Sequence, residues 1–236
     1  MIWCVIPAAG RGLRFGAPMP KQYAPLVGAT MLLRTLDRLA AHPRVAGLMV
    51  ALAADDALWP GIDSLEGKPV RTCLGGAERA DSVHNALLAL ASDQPPPHWV
   101  MVHDAARPCV RHSDIDALIA LGQQHADGAI LAAPVRDSIK RADAGAIGAP
   151  AVIAASADRS ALWRALTPQL FRFDDLLRAL TAALADPVAR PQLTDDAAAI
   201  EYRGGHPLLV PGADDNIKVT SWHDLALAEF ILTCPA

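Results

Sequence analysis

Apolar runs of strand length alternate along this chain with stretches in which apolar residues recur at i, i+3 and i+4. The strand-like runs are 2–7 (IWCVIP), 45–52 (VAGLMVAL), 69–74, 98–103 (HWVMVH) and 128–135 (GAILAAPV). Each is apolar almost throughout, as expected of a strand covered on both faces. The helical stretches are 30–42 (TMLLRTLDRLAAH), 79–92 and 113–126, with Thr30 and Ser113 where N-caps belong. This alternation predicts an α/β, Rossmann-like fold, a mostly parallel, doubly wound sheet with helices on both faces. Ligands of such sheets sit outside the carboxyl ends of the strands, which singles out the loops after Pro7, Leu74 and His103.

The alternation breaks between 136 and 160. There SIKRA and AVIAAS flank the Gly/Ala/Pro stretch Asp143 to Pro150, which predicts a β-hairpin arm. No helical stretch lies beside the second run to cover it. A second copy of the chain is expected to do so, giving a homodimer. Beyond Arg159 the pattern predicts helices near 173–185 and 195–203, a short strand at 207–210 and a terminal helix at 221–232. No repeat or linker divides residues 1–236, so a single domain with a protruding arm is expected.

Composition narrows the function. The net charge of −4 argues against a general binder of nucleic acid or membrane surfaces, so any polyanionic ligand must meet a local cluster of cations. Cys4, Cys73, Cys109 and Cys234 form no C-x-x-C and read as reduced fillers of a cytoplasmic protein. No apolar run approaches the roughly 18 residues of a membrane helix, and the run at 2–7 is too short for a signal sequence. The histidines show no H-x-x-x-H spacing, so a protein-caged zinc is not expected.

The candidate chemistry starts after the first strand, in PAAGRGLRFGAPMPKQ (7–22). Small residues let the backbone approach a ligand, and successive N–H groups can cradle phosphate oxygens. A Walker A loop needs Lys-Ser/Thr directly after its last glycine, but Ala17-Pro18 follows Gly16. The dinucleotide fingerprint is missed by one residue, since Gly10, Gly12 and Gly16 give G-x-G-x-x-x-G. Arg11, Arg14 and Lys21 put three cations on this one loop, which suits a triphosphate.

PAAGRGLRFGAPMPKQY resembles the nucleotide-binding signature of the sugar-nucleotide pyrophosphorylase superfamily. More narrowly, the chain resembles the 2-C-methyl-D-erythritol 4-phosphate cytidylyltransferase family. The likeness continues in order through GGAERADSV (75–83), VHDAARP (102–108), APVRDSIKR (133–141), DRSALWRALTPQLF (158–171), TDDAAAIE (194–201) and DNIKVT (215–220).

The resemblance implies transfer of CMP from CTP to a polyol phosphate, with Mg²⁺ or another divalent cation as cofactor. It implies that Arg14 and Lys21 stabilise the transition state, and that Arg159 and Lys218 position the acceptor. The nucleotide would be met by Pro7, Ala8, Ala9, Gly10, Arg11 and Gly12, by Gly76, Ala77 and Ser82 around the base, and by Asp104 and Ala105. The acceptor would meet Arg107, Ser138, Thr167 and Thr194. Asp104 and Asp215 are the expected oxygen contacts to the metal, which phosphates and water would mainly hold. Ser82 and Thr194 also read as possible helix caps, and His103, ending a buried strand, as a hydrogen-bonded structural residue. This chain departs from the family pattern at Ser138, in place of the threonine of V-R-D-T, and at Ala77, in place of an acidic residue.

Two other readings compete. A ribitol-5-phosphate cytidylyltransferase would share the loop and its cations, although APVRDSIKR and DNIKVT favour methylerythritol. A non-catalytic NAD-binding module would need an acidic residue ending the second strand, where Ala51-Leu52-Ala53-Ala54 stands instead.

Overall fold

The computed structural model describes residues 1–10, 19–92, 95–143 and 150–234. In chain order its elements are β1 (Ile2–Pro7), β2 (Pro25–Leu26), β3 (Ala29–Thr30), α1 (Met31–Ala40), β4 (Val45–Leu52), β5 (Ser64–Leu65) and β6 (Lys68–Leu74). There follow α2 (Arg79–Ala91), β7 (Trp99–Val102), α3 (His112–Gly122), β8 (Ala129–Pro134), β9 (Ile139–Ala142), β10 (Ile153–Ala157) and β11 (Trp163–Arg172). The chain ends through α4 (Phe173–Ala185), α5 (Ala197–Tyr202), β12 (Leu208–Pro211) and α6 (Trp222–Thr233).

Eight strands form one sheet in the order β12-β8-β11-β7-β1-β4-β6-β5. β1 lies between β4 and β7 and runs parallel to both, β6 is parallel to β4, and β12 is parallel to β8. The continuous apolar runs follow from this placement. Along β1, Cys4 and Ile6 enter a core with Leu32 and Leu36 of α1 and Ile115 and Leu118 of α3. Trp3 and Val5 point the other way, into a core with Val83 and Leu87 of α2 and Leu176 and Leu180 of α4. Alternate residues of one strand thus feed two cores, and neither face can be polar. No helix among the described residues is long and apolar enough to cross a membrane.

The arm forms where the break in the pattern predicts it: β9 pairs antiparallel with β10. Residues 144–149 between them lie outside the described residues. Ile139, Val152, Ile153 and Trp163 are exposed on or beside it.

Four details differ from the sequence reading. β11 is a ten-residue strand, antiparallel to both β7 and β8, where the pattern predicts none, so the sheet is mixed rather than simply wound. Buried Thr167 and Gln169, with Pro168 between them, interrupt its apolar run, and its pairing with β8 shifts register between Ala165 and Gln169. Arg111 rather than Ser113 stands at the N-cap of α3, whereas Thr30 does cap α1, its side chain accepting from the Leu33 N–H. Ser82 lies within the first turns of α2, after Glu78 at the cap, and α5 begins after Asp196 rather than Thr194.

Candidate active site

The carboxyl ends of β1, β6 and β7 enclose a cavity of about 590 Å³, within the usual range for small-molecule sites. Pro7–Gly10 form one wall, Gly76–Arg79 with Ser82 a second, Asp104–Ala106 a third, and Lys21, Gln22, Lys218 and Thr220 close it.

Local bonds hold each wall. The Ala8 N–H donates to Ala51 O and the Gly75 N–H to Leu52 O, at 2.9 and 2.7 Å, so the sheet ladder continues into both loops. Buried Gln22 donates from Nε2 to Ala8 O at 2.8 Å, fixing the first turn after β1. A Cβ on Gly75 would lie 2.3 Å from the Ala9 Cβ, and one on Gly76 would lie 2.2 Å from the Asp81 Cβ. These two glycines are therefore required by close approach. Ser82 Oγ accepts from the Gly76 N–H at 3.0 Å and donates to Glu78 O at 3.1 Å, shaping the turn from within.

Asp104 is the electrostatic centre. Its Oδ1 accepts from Arg79 Nε at 2.9 Å, and its Oδ2 lies 2.8 Å from Lys218 Nζ and 3.5 Å from Arg107 Nε. Burial alone would raise its pKa, but Arg79, then Lys218 and Arg107, outweigh that and hold the carboxyl well below the usual carboxylate range. Arg79 also donates from Nη2 to buried Asp196 at 2.8 Å. Lys21 reaches the same region from the other side, donating from Nζ to Val219 O at 3.2 Å, while the Val219 N–H donates to Ala106 O at 2.8 Å.

Behind Asp104 runs a directional chain. Its backbone N–H donates to Thr167 Oγ1 at 3.0 Å, and Thr167 Oγ1 lies 3.0 Å from His103 Nδ1. His103 Nε2 lies 2.9 Å from Arg107 O, which can only accept. The His103 proton therefore belongs on Nε2, and the Thr167 hydroxyl donates to Nδ1. Burial pushes the His103 pKa down to about 4, against partly compensating help from Arg107 O, so the ring is neutral near pH 7. Both hydrogen-bonding directions of the Thr167 hydroxyl are thus engaged within the protein.

The structure gathers Pro7, Ala8, Ala9, Gly10, Lys21, Gly76, Ala77, Ser82, Asp104, Ala105 and Lys218 around one cavity. Arg11, Gly12 and Arg14 lie outside the described residues. Arg107 and Thr167 sit behind the Asp104 wall, and Ser138, Thr194 and Arg159 are not among the described lining residues. Asp215 is not among the described lining residues either; its carboxylate pairs with Arg111 at the N-cap of α3. The sequence reading missed Arg79, Gln22 and Thr220. Arg79 stood in GGAERADSV, but an arginine in the first turn of a helix carries no sign that it will bridge two buried aspartates.

No cluster of three or more His, Cys, Asp or Glu suited to a metal occurs among the described residues. Two carboxylates, Glu78 and Asp104, line a cavity that also holds Lys21, Arg79 and Lys218, too few for a protein cage but a fit for a magnesium ion bound mostly through phosphates.

Comparison with known proteins identifies the family. The family described as IspD, 2-C-methyl-D-erythritol 4-phosphate cytidylyltransferase, matches residues 2–234. A protein of that name from Xanthomonas euvesicatoria pv. vesicatoria (strain 85-10) is 52% identical over 231 residues, covering 98% of this chain and 84% of its own. One from Stenotrophomonas maltophilia (strain K279a) is 52% identical over 232 residues, covering 98% and 97%. A crystal structure of 4-diphosphocytidyl-2C-methyl-D-erythritol synthase superposes with a TM-score of 0.80 at 33% identity, over 98% of this chain and 99% of that one. The Francisella tularensis cytidylyltransferase structure gives 0.80 at 32% identity, with the same coverage. With the family's sequence matched from end to end and its fold reproduced, this chain belongs to the 2-C-methyl-D-erythritol 4-phosphate cytidylyltransferase family.

Proposed function

We propose that this chain transfers CMP from CTP to 2-C-methyl-D-erythritol 4-phosphate in the cavity beyond β1, β6 and β7. The products are 4-diphosphocytidyl-2-C-methyl-D-erythritol and pyrophosphate, and the step serves isoprenoid precursor synthesis. The observation that carries the reading is the convergence of Lys21 and Lys218 on a glycine-walled cavity centred on Asp104.

The acceptor's phosphate has a second pKa of about 6, so it is already a nucleophile at neutral pH and needs no general base. One of its oxygens attacks the α-phosphorus of CTP. The bond from that phosphorus to the bridging oxygen breaks, and its electron pair leaves with pyrophosphate. The obstacle is the meeting of two polyanions, so the protein's contribution is alignment and charge neutralisation. In this reading Lys21, with Arg14 of its loop, stabilises charge at the α-phosphorus and the leaving group. Lys218 passes from Asp104 to the acceptor's phosphate. The walls at Pro7–Gly10 and Gly76–Ser82 hold the nucleotide. Arg107 and Thr167 keep Asp104 in place from behind, a different role from direct contact with the acceptor. A divalent cation, when bound, would be held by Asp104 and phosphate oxygens and would neutralise phosphate charge.

The arm supports a homodimer. Ile139, Val152, Ile153 and Trp163 expose apolar surface on or beside it, and Arg159 adjoins it without lining its own cavity among the described residues. In this reading Arg159 serves the partner's site, and a second copy of the chain covers the arm.

Pyrophosphate release with CTP, UTP and ATP, each against a panel of polyol phosphates, tests the assignment. Turnover is expected with CTP and 2-C-methyl-D-erythritol 4-phosphate. Preferential turnover of ribitol 5-phosphate would overturn the acceptor, and no turnover of CTP with any acceptor would overturn the reaction.

A further inference from the structure

The guanidinium of Arg79 spans two carboxylates from distant parts of the chain. Nε donates to Asp104 Oδ1 at 2.9 Å and Nη2 to Asp196 Oδ2 at 2.8 Å. The two aspartates are only 6% and 1% exposed, while the Arg79 side chain keeps 25% exposure where it lines the cavity, so the clamp is part of the cavity wall rather than an outer-surface pair.

Asp196 is itself seated from the sheet. Gln169 of β11, wholly buried, accepts at Oε1 from the N–H groups of Asp196 and Ala197, at 3.1 and 3.0 Å. Its Nε2 donates to Asp195 Oδ2 at 2.9 Å. A continuous frame therefore runs from β11 through Gln169, Asp196 and Arg79 to Asp104 at the end of β7.

The frame fixes the rotation of one carboxylate. Because Arg79 holds Oδ1, only Oδ2 faces Lys218, at 2.8 Å. An Asp104 without Arg79 could turn both oxygens toward Lys218 and Arg107 and keep the ammonium from an incoming phosphate. A planar fork can serve two carboxylates at once, whereas a lysine is a single point charge on a flexible stem.

We propose that Arg79 is a positioning residue for the transfer reaction: anchored by Asp196, it orients Asp104 so that a single oxygen engages Lys218 and the lysine can pass to the acceptor's phosphate. The proposal rests on the cytidylyl-transfer reading of the site.

The test uses two variants of the full chain, Arg79→Lys and the double variant Arg79→Met with Asp196→Leu. The first keeps the cation between the two aspartates. The second removes clamp and counter-charge together, a replacement that buried ion pairs often tolerate in stability. Melting temperature, kcat and the KM of each substrate are measured for both. In folded protein, kcat is expected to fall about tenfold or more in each, with the KM for CTP within about threefold, as when an interaction made in the transition state is lost. A purely structural clamp gives a folded double variant with kcat within about threefold of the parent, and that result overturns the proposal, as does a loss confined to the KM for CTP. If the double variant does not fold, Arg79→Lys decides by the same split. A parent enzyme inactive with CTP would instead remove the transfer reading itself, so the two failures are separate.

Discussion

The ammonium of Lys21 donates to the carbonyl of Val219 at 3.2 Å, which ties the loop after β1 to the segment that carries Lys218. Lysines almost two hundred residues apart in the chain thus face one cavity, the proposed meeting point of a triphosphate and a phosphate monoester. Removing Lys21 takes one positive charge from that meeting point. Lys21→Ala is expected to lower kcat by about 10²–10³ and to change the KM for CTP less, as for loss of one transition-state donor. Steady-state kinetics checks this, and a near-normal kcat would exclude the lysine from the mechanism.

The proposed magnesium contact at Asp104 predicts metal dependence. Activity is expected to vanish in excess EDTA and return with Mg²⁺. Asp104→Asn should raise the Mg²⁺ concentration needed for half-maximal rate, while Asp215→Asn should leave it unchanged, because Asp215 is committed to Arg111. Equal sensitivity of the two variants would contradict this assignment.

The glycines at the end of β6 offer a steric test. Gly75→Ala would place its Cβ 2.3 Å from the Ala9 Cβ, forcing apart two walls of the cavity. A stability loss of about 1–3 kcal/mol is expected, as for overpacking elsewhere. A higher KM for CTP should accompany it. Urea unfolding and kinetics on the same variant measure both, and unchanged values would mean that the walls adjust without cost.

His103 gives stability a pH dependence. In the folded protein its pKa lies at about 4, below the ordinary 6.5, so between these values the unfolded chain binds a proton that the folded chain does not. Stability from this residue is complete above about pH 6.5 and is lost as pH falls toward 4, by roughly 3 kcal/mol in all. Urea unfolding of the parent and His103→Gln across this interval should show a shallower pH slope in the variant. Identical slopes would mean that another group carries the dependence.

The shared site can be tested by mixing. Lys21→Ala and Arg159→Ala homodimers should each be inactive. Random subunit exchange would make about half the dimers mixed, each with one intact site, so activity should recover toward about a quarter of the parent's. If exchange is verified and nothing recovers, Arg159 serves its own chain.

The sequence by itself determined the parallel centre of the sheet. Strands β1, β4 and β7 are apolar on both faces because each feeds two cores, and that burial writes itself into consecutive residues. It also determined where to look, since the loops ending β1, β6 and β7 are the ones that wall the cavity. Only the tertiary structure placed β11 antiparallel between β7 and β8, because Thr167 and Gln169 are buried through hydrogen bonds to distant partners rather than through apolar character. For the same reason it alone brought Arg79 to Asp196, 117 residues away, and paired Asp215 with Arg111. Periodicity reports which face of a local element is buried. The partner that satisfies a buried charge is chosen by the packing of segments far apart in the chain, and leaves no periodic trace.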